Sequence, residues 1–583
     1  MRKITFLINT LLFSLIFYAC DQEYSDSSDS NLPKEAKGGK NYGGVFRLNE
    51  SEFIKSLYPL SITDIYSYRV STQIYEGLFK FNQKDLTVVN GIAESYEIDS
   101  SQKVYTIKLR KGVYFHDADC FDDGKGREVT AEDVKYCFLR VCTQDASNQG
   151  FSVFEGILKG ADAYYKASAG GKTPKKELEG VKVVDKYTIQ LTLTRPYSVF
   201  LYNLARPFTF IYPKEAVEKY GVADMRMKPV GTGPFYLSSI DDGNAIILKR
   251  FSKYYGKDAL GNALPFLEAL QISFIKDKKT EMLEFKKGNL DMVYRLPTDQ
   301  IIEISDDAEK DSEGNITGFE LQRDAEMGTQ FLVFMNQQGV FKDKNVRKAF
   351  SFAIDREKIL AYVLNGEGEA AANHGLVPPT FENYDISKIR GYQLNVDSAQ
   401  YYLSKAGYLN GKGFPEISID VNAEGDRQYN VAQEIQKELK DNLNIDIQIN
   451  VLPYAQLLEN VFQGNFSLAR SAYFADYPSP ENYLWLFLGK HVPASMKDKS
   501  FPNVARFKNK KYDEYYKKGL NAATMEEANR YFAKAEQILM NEAAILVLWY
   551  EEAYRLIKPY VKDFPNNAMQ YRDFSAVYFD KRN

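Results

Sequence analysis

Residues 417–454 constrain the fold more than any other stretch. ISIDVNA and IDIQINVLPY are strand-like runs, and the helical QYNVAQEIQKELKDNLN lies between them. A strand, a helix and a second strand in that order is a crossover unit, and it calls for a parallel or mixed sheet with helices against it. The chain is therefore read as α/β. TQFLVFMNQ (329–337) adds a buried strand, and in FKDKNVRKAFSFAIDREKILAYVL (341–364) Val346, Ala349, Phe350 and Ala353 line one helical face. Residues 525–561 close the chain with a helix, a strand and a proline-bounded exit.

Upstream the pattern changes to short strands and turns. VFRL, TVVN and KVYTIKLRKGVYF are strand-like, and VKVVDKYTIQLTLT (181–194) reads as a hairpin about an Asp-Lys turn. TAEDVKYCFLRV predicts a helix capped by Thr130 and Asp133, with Val134, Phe138 and Val141 in one stripe. PVGTGPFYL (229–237) predicts an ordered loop entering a strand. Its Gly-Thr-Gly lacks the Lys-Ser/Thr and the following helix of a phosphate loop.

The first 20 residues, MRKITFLINTLLFSLIFYAC, have two positive residues, an apolar run too short to span a bilayer, and Ala19 before Cys20. That is the shape of a lipoprotein signal in which Cys20 is lipidated. Residues 21–40 are polar and Ser/Asp-rich, a flexible tether. Roughly 540 of the 583 residues then remain, enough for at least two domains. Seventy-four basic against 78 acidic residues, a net charge of −4, argue against nucleic-acid binding. Three histidines far apart give no metal-ligand spacing. Cys120, Cys137 and Cys142 allow one disulfide, of undetermined connectivity.

The candidate site is ARSAYFADYPSPENYL (469–484). Asp476 sits among Tyr473, Phe474 and Tyr477, with Pro478 and Pro480 behind it. Aspartate suits such a turn by bonding its own backbone. It also suits a cationic ligand, since a desolvated carboxylate needs a partner.

Taken in order, YEGLF (75–79), IAESYEID with YTIKLRKGVYFHD (92–117), TAEDV (130–134), PVGTGPFYL, NVRKAFSFAIDREKI (345–359), the 469–484 stretch, AEQILMNEAAILVLWY and KPYVKDF resemble the peptide-binding proteins of ABC importers, extracellular solute-binding family 5. The resemblance spans nearly the whole mature chain. It implies a two-lobed, class II periplasmic-binding-protein fold: a first lobe of 41–328 with the return 546–583, an extra subdomain at about 70–195, and a second lobe at 329–545. The ligand lies between lobes that close on it.

By the same resemblance Asp476 pairs with a peptide's α-ammonium, and Arg470 takes a short peptide's carboxylate or forms a structural ion pair. Tyr473, Phe474 and Ala475 line the pocket. The backbone near Gly328, Thr329 and Gln330 is expected to face an extended ligand, with Ser61, Ile62, Thr63, Asp64 and Ile65 opposite. The resemblance implies a non-enzymatic, monomeric binding lipoprotein on the outer side of a membrane. It needs no cofactor and has a permease with a cytoplasmic ATPase as its partner. A same-fold protein for a nickel chelate, haem or an oligosaccharide is the alternative. An exported hydrolase is a third, requiring a second acid about 5–10 Å from Asp476.

Overall fold

A computed structural model describes residues 35–580 apart from 198, 242, 302, 305–317, 382, 383, 424 and 523. The leader, Cys20 and most of the tether fall outside the described residues. The chain forms two lobes. The first is built on a four-stranded sheet ordered Val45–Asn49, Ala269–Ser273, Ala245–Arg250, Phe235–Asp241, with the first pair parallel and the others antiparallel. Beside it lies a second, antiparallel sheet ordered Ala93–Ile98, Val104–Leu109, Thr188–Thr192, Val181–Asp185. Helix Ala131–Val141 starts from the Thr130–Asp133 capping box and buries Val134, Cys137, Phe138 and Val141. Cys120, Cys137 and Cys142 all remain thiols, so the disulfide left open by the sequence does not form.

The Gly-Thr-Gly loop has a steric cause. A Cβ on Gly231 would stand 2.1 Å from the Ile74 carbonyl oxygen, and one on Gly233 2.5 Å from that of Gln73. The loop thus packs its bare backbone on the C-terminal end of helix Ile65–Ile74. Between the glycines, Thr232 and the hydroxyls of Tyr254 and Tyr255 donate to the buried Glu76 of the YEGLF stretch.

The second lobe contains the crossover unit read from the sequence. Strands Ser418–Asn422 and Gln448–Leu452 run parallel, helix Gly425–Leu443 connects them, and Ser418–Asn422 is also parallel to Leu468–Phe474. They belong to a mixed sheet ordered Met292–Tyr294, Ile545–Ile557, Glu320–Phe334, Leu468–Phe474, Ser418–Asn422, Gln448–Leu452. Val346, Ala349, Phe350 and Ala353 of helix Lys344–Ala353 pack into the core of that lobe, as their spacing predicts.

Two long antiparallel strands, Glu320–Phe334 and Ile545–Ile557, carry the chain between the lobes. They pair over 320–325 with 552–557 and again over 329–333 with 545–550, and the register shifts in between. At one end Met292–Tyr294 of the first lobe joins them, and at the other Leu468–Phe474 of the second. Leu546, Leu548 and Trp549 lie in the second lobe's core, whereas Tyr554 and Leu556 pack on first-lobe residues such as Met282 and Phe285. The crossing strand thus contributes side chains to the cores of both lobes. Beyond it, Arg572 pairs with Glu50 at 2.6 Å and Asp573 with Lys80 at 2.8 Å, fastening the C-terminal segment to the first lobe.

Candidate functional site

Strand Leu468–Phe474 delivers the ARSAYFADYPSPENYL stretch to the boundary between the lobes. One edge pairs with 328–334, placing Phe474 opposite Gly328, Tyr473 opposite Thr329 and Ala472 opposite Gln330. A Cβ at 328 would stand 2.5 Å from the Phe474 ring, so the bare glycine leaves that ring room to lie over the strand. The other edge pairs only at Leu468 and Ala469. Among the described residues, the backbone of 471–474 has no ladder partner on that side, an edge able to accept another extended chain.

The turn that follows is fixed from several sides. The Ala475 amide donates to the Met327 carbonyl at 2.9 Å, and the Tyr483 hydroxyl donates to the same oxygen at 2.6 Å. The Asp476 amide donates to Asn482 Oδ1 at 2.8 Å, and the Tyr473 hydroxyl to that oxygen at 3.1 Å. Pro480 then opens the short helix Glu481–Leu484. The backbone under Asp476 is held by Asn482, so its own carboxylate is left for other work.

That carboxylate is 45% exposed and has a partner from the first lobe: Arg206 Nη2 donates to Asp476 Oδ2 at 2.6 Å. The Tyr473 hydroxyl stands at 3.4 Å from the same oxygen. The Arg206 guanidinium lies over the rings of Phe208 and Tyr477, each at 5.5 Å, and Tyr202 stacks on Tyr477 at 5.8 Å. Beneath, the buried Glu481 accepts from the hydroxyls of Tyr477 and Tyr516, and burial pushes its carboxyl up. Tyr68, on the helix that follows the 61–65 loop, feels both charges. Burial and then Asp476 push its hydroxyl up, and Arg206 opposes them.

Arg470 points into a buried charge cluster at the strand crossing. It donates to Gln330 Oε1 at 3.0 Å, and Gln330 Nε2 donates to Glu551 Oε1 at 2.7 Å. Glu551 also receives Arg295 and Arg427, each at 3.1 Å; Arg295 continues to Glu326 at 2.8 Å and Arg427 to Glu367 at 3.3 Å. Burial raises the Glu551 carboxyl, but Arg295 and Arg427 outweigh it and hold the group down at about 2. Glu326 shares Arg295 and lies near Glu551, and burial pushes it up.

The remaining expected residues fall in different places. Tyr473 is half-buried, Phe474 is exposed and Ala475 is buried. Thr63 and Ile65 are exposed, with Asp64 between them capping helix Ile65–Ile74 through the Ser67 amide at 2.9 Å. Ser61 donates to the Ser147 carbonyl and Ile62 is buried. Thr329 and Gln330 correct the expectation of a ligand-facing backbone. Both are buried in a strand paired on its two edges, with 472–473 on one side and 549–550 on the other. The open edge belongs to the next strand, at 471–474. Arg206 was missed altogether, because RPFTF carries no local signal of a partner 270 residues away.

Two lobes joined by a pair of crossing strands, with charged and aromatic groups of both lobes meeting at the crossing, define a class of hinged solute-binding proteins. The chain belongs to the bacterial extracellular solute-binding proteins, family 5, whose middle-region model matches residues 87–493. It is 26% identical to the heme-binding protein A of Haemophilus influenzae over 97% of each chain. It is 27% identical to the periplasmic oligopeptide-binding protein OppA of Salmonella typhimurium over 89% of each. Among solved structures it resembles the ABC transporter-associated periplasmic binding protein DppA of Helicobacter pylori in complex with the peptide STSA. That match has a TM-score of 0.79 and 23% identity, and covers 93% of this chain and 99% of that one. Among the described residues no helix is long and apolar enough to cross a membrane, and no group of acidic, histidine and cysteine side chains is arranged to hold a metal.

Proposed function

We propose that this chain captures peptides between its lobes and presents them to the permease of an ABC importer, held at the outer face of a membrane by a lipid on Cys20 and performing no chemistry itself. The observation that carries the reading is the juxtaposition in one segment of an open strand edge, 471–474, with a carboxylate, Asp476, on a turn whose backbone is already satisfied. An extended peptide adds to such an edge by main-chain hydrogen bonds, which are indifferent to side chains, while Asp476 receives its terminal ammonium. Phe474 and Tyr473 supply apolar walls that many side chains can use. The peptide ligands of the Salmonella and Helicobacter relatives support the same reading.

The Haemophilus relative is named for haem, which is the second reading. Haem carries carboxylates and no ammonium, so Asp476 offers it no partner, and the peptide reading is preferred.

The test is calorimetric titration with a peptide mixture, then with single peptides bearing free or acetylated amino termini, and with haemin in parallel. Asp476→Asn keeps the side-chain shape and removes the charge. Losing a charge-assisted hydrogen bond of about 1.5–3 kcal/mol weakens a free peptide roughly 10- to 100-fold. Acetylation should weaken the wild type comparably and add little in the variant, since both changes delete one contact. Equal wild-type affinity for free and acetylated peptides would remove Asp476 as the ammonium's partner, and retention of haemin but no peptide would overturn the peptide reading.

A further inference from the structure

A carboxylate awaiting a ligand's ammonium is best served by having no other cation beside it, yet Asp476 has Arg206 at 2.6 Å. Arg206 is a built feature of the first lobe. Its side chain is 13% exposed, and its guanidinium lies over the Phe208 and Tyr477 rings. Of the five N–H donors on a guanidinium, the hydrogen bond to Asp476 uses one. No acceptor for the others is found among the described residues, and part of the side chain remains exposed.

An ammonium brought to Asp476 would share that one carboxylate with Arg206. Two unit charges about 4 Å apart at an effective dielectric of about 20 repel by the equivalent of roughly a thousandfold in affinity. The neighbouring charges do not remove this imbalance. Arg195 lies close enough to act on Glu481 and adds positive charge. Glu481 also faces Arg206, but it is buried and spent on the Tyr477 and Tyr516 hydroxyls. A ligand that carries its own carboxylate next to its ammonium restores alternation: Asp476, ligand ammonium, ligand carboxylate, Arg206. The open fork of the guanidinium is shaped for that carboxylate.

We propose that Arg206 is a specificity-determining residue that selects peptides with an acidic side chain at the first or second position. Successive Cα atoms are about 3.8 Å apart, so only these positions keep a side-chain carboxylate near the terminal nitrogen. The inference rests on the peptide reading above and names the class of peptide.

The experiment is calorimetry on the full mature protein with four tetrapeptides, Glu-Ala-Ala-Ala, Gln-Ala-Ala-Ala, Ala-Glu-Ala-Ala and Ala-Gln-Ala-Ala. In the wild type at least one acidic peptide should bind about tenfold or more tighter than its amide twin. Arg206→Gln should bring that ratio to near one, and Arg206→Lys, which keeps the charge without the fork, should retain part of it. Near-equal affinity for both twins in the wild type overturns this inference and leaves the peptide reading standing, whether or not the variants fold. A ratio that survives in Arg206→Gln assigns the preference to another residue and also overturns it. If none of the tetrapeptides and no peptide of a random mixture binds, the peptide reading falls and this inference falls with it.

Discussion

Glu551→Gln tests whether the buried charge cluster, and not the backbone pairing alone, secures the strand crossing. Glu551 is fully buried and accepts from Gln330, Arg295 and both terminal nitrogens of Arg427. The amide keeps one acceptor oxygen but turns an NH2 toward guanidinium N–H groups, leaving donors facing donors. A carboxyl that titrates at about 2 folded, against an ordinary 4.5, contributes about 3 kcal/mol at neutral pH. The result agrees with the roughly 3–5 kcal/mol that removing one partner of a buried ion pair costs. Unfolding entropy of about 2.1 cal/mol/K per residue over 583 residues gives roughly 1.2 kcal/mol/K, so a joint transition should shift down by about 3 °C.

The sign with pH follows from the depressed carboxyl. Its stabilisation is complete above the unfolded value of 4.5 and is lost as pH falls toward 2, so wild type and variant should converge over that interval. Trp549, buried in the second lobe with Arg427 5.2 Å from its ring centroid, reports the transition by fluorescence. A shift below 1 °C at pH 7, or one that persists undiminished at pH 3, would refute the electrostatic account of the crossing.

Glu536 should behave in the opposite sense. It is buried, accepts from the Leu376 and Val377 amides at 2.6 and 2.8 Å and bonds the Tyr384 hydroxyl, and burial raises its carboxyl to about 7. Stability from a raised acid is present below pH 4.5 and is lost as pH rises through 7, so Glu536→Gln should match the wild type at pH 4.5 and exceed it at pH 8 by about 1–3 kcal/mol in urea unfolding. Gly231→Ala should lower the melting temperature, at a cost of about 1–3 kcal/mol, because the new methyl meets the Ile74 carbonyl; an unchanged melt would show that the loop can retreat freely. Cys20→Ser should abolish lipid anchoring, and a variant still recovered mature in the membrane pellet would remove the lipoprotein proposal.

What the sequence disclosed and what it concealed divide along a physical line. Periodicity and capping act within a turn or two of chain. Hence the crossover unit at 417–454, the Val346–Ala349–Phe350–Ala353 stripe and the Thr130–Asp133 box were all readable in order. A buried-strand run was readable at 329–337 too, yet not which neighbours it would take. Thr329 and Gln330 proved to be enclosed by strands whose sequence positions lie about 140 and 220 residues onward. Buried hydrophobic runs look alike whether one edge is open or none is. The charged site was hidden for the same reason. Asp476 stood out because aromatic residues and prolines surround it locally, whereas Arg206, Arg295 and Arg427 matter through carboxylates on distant segments. Nor was Asn482 readable as the residue whose side chain takes the backbone amide of the turn at Asp476. Local pattern thus located the carboxylate, and only the meeting of the two lobes revealed the arginine that pairs with it.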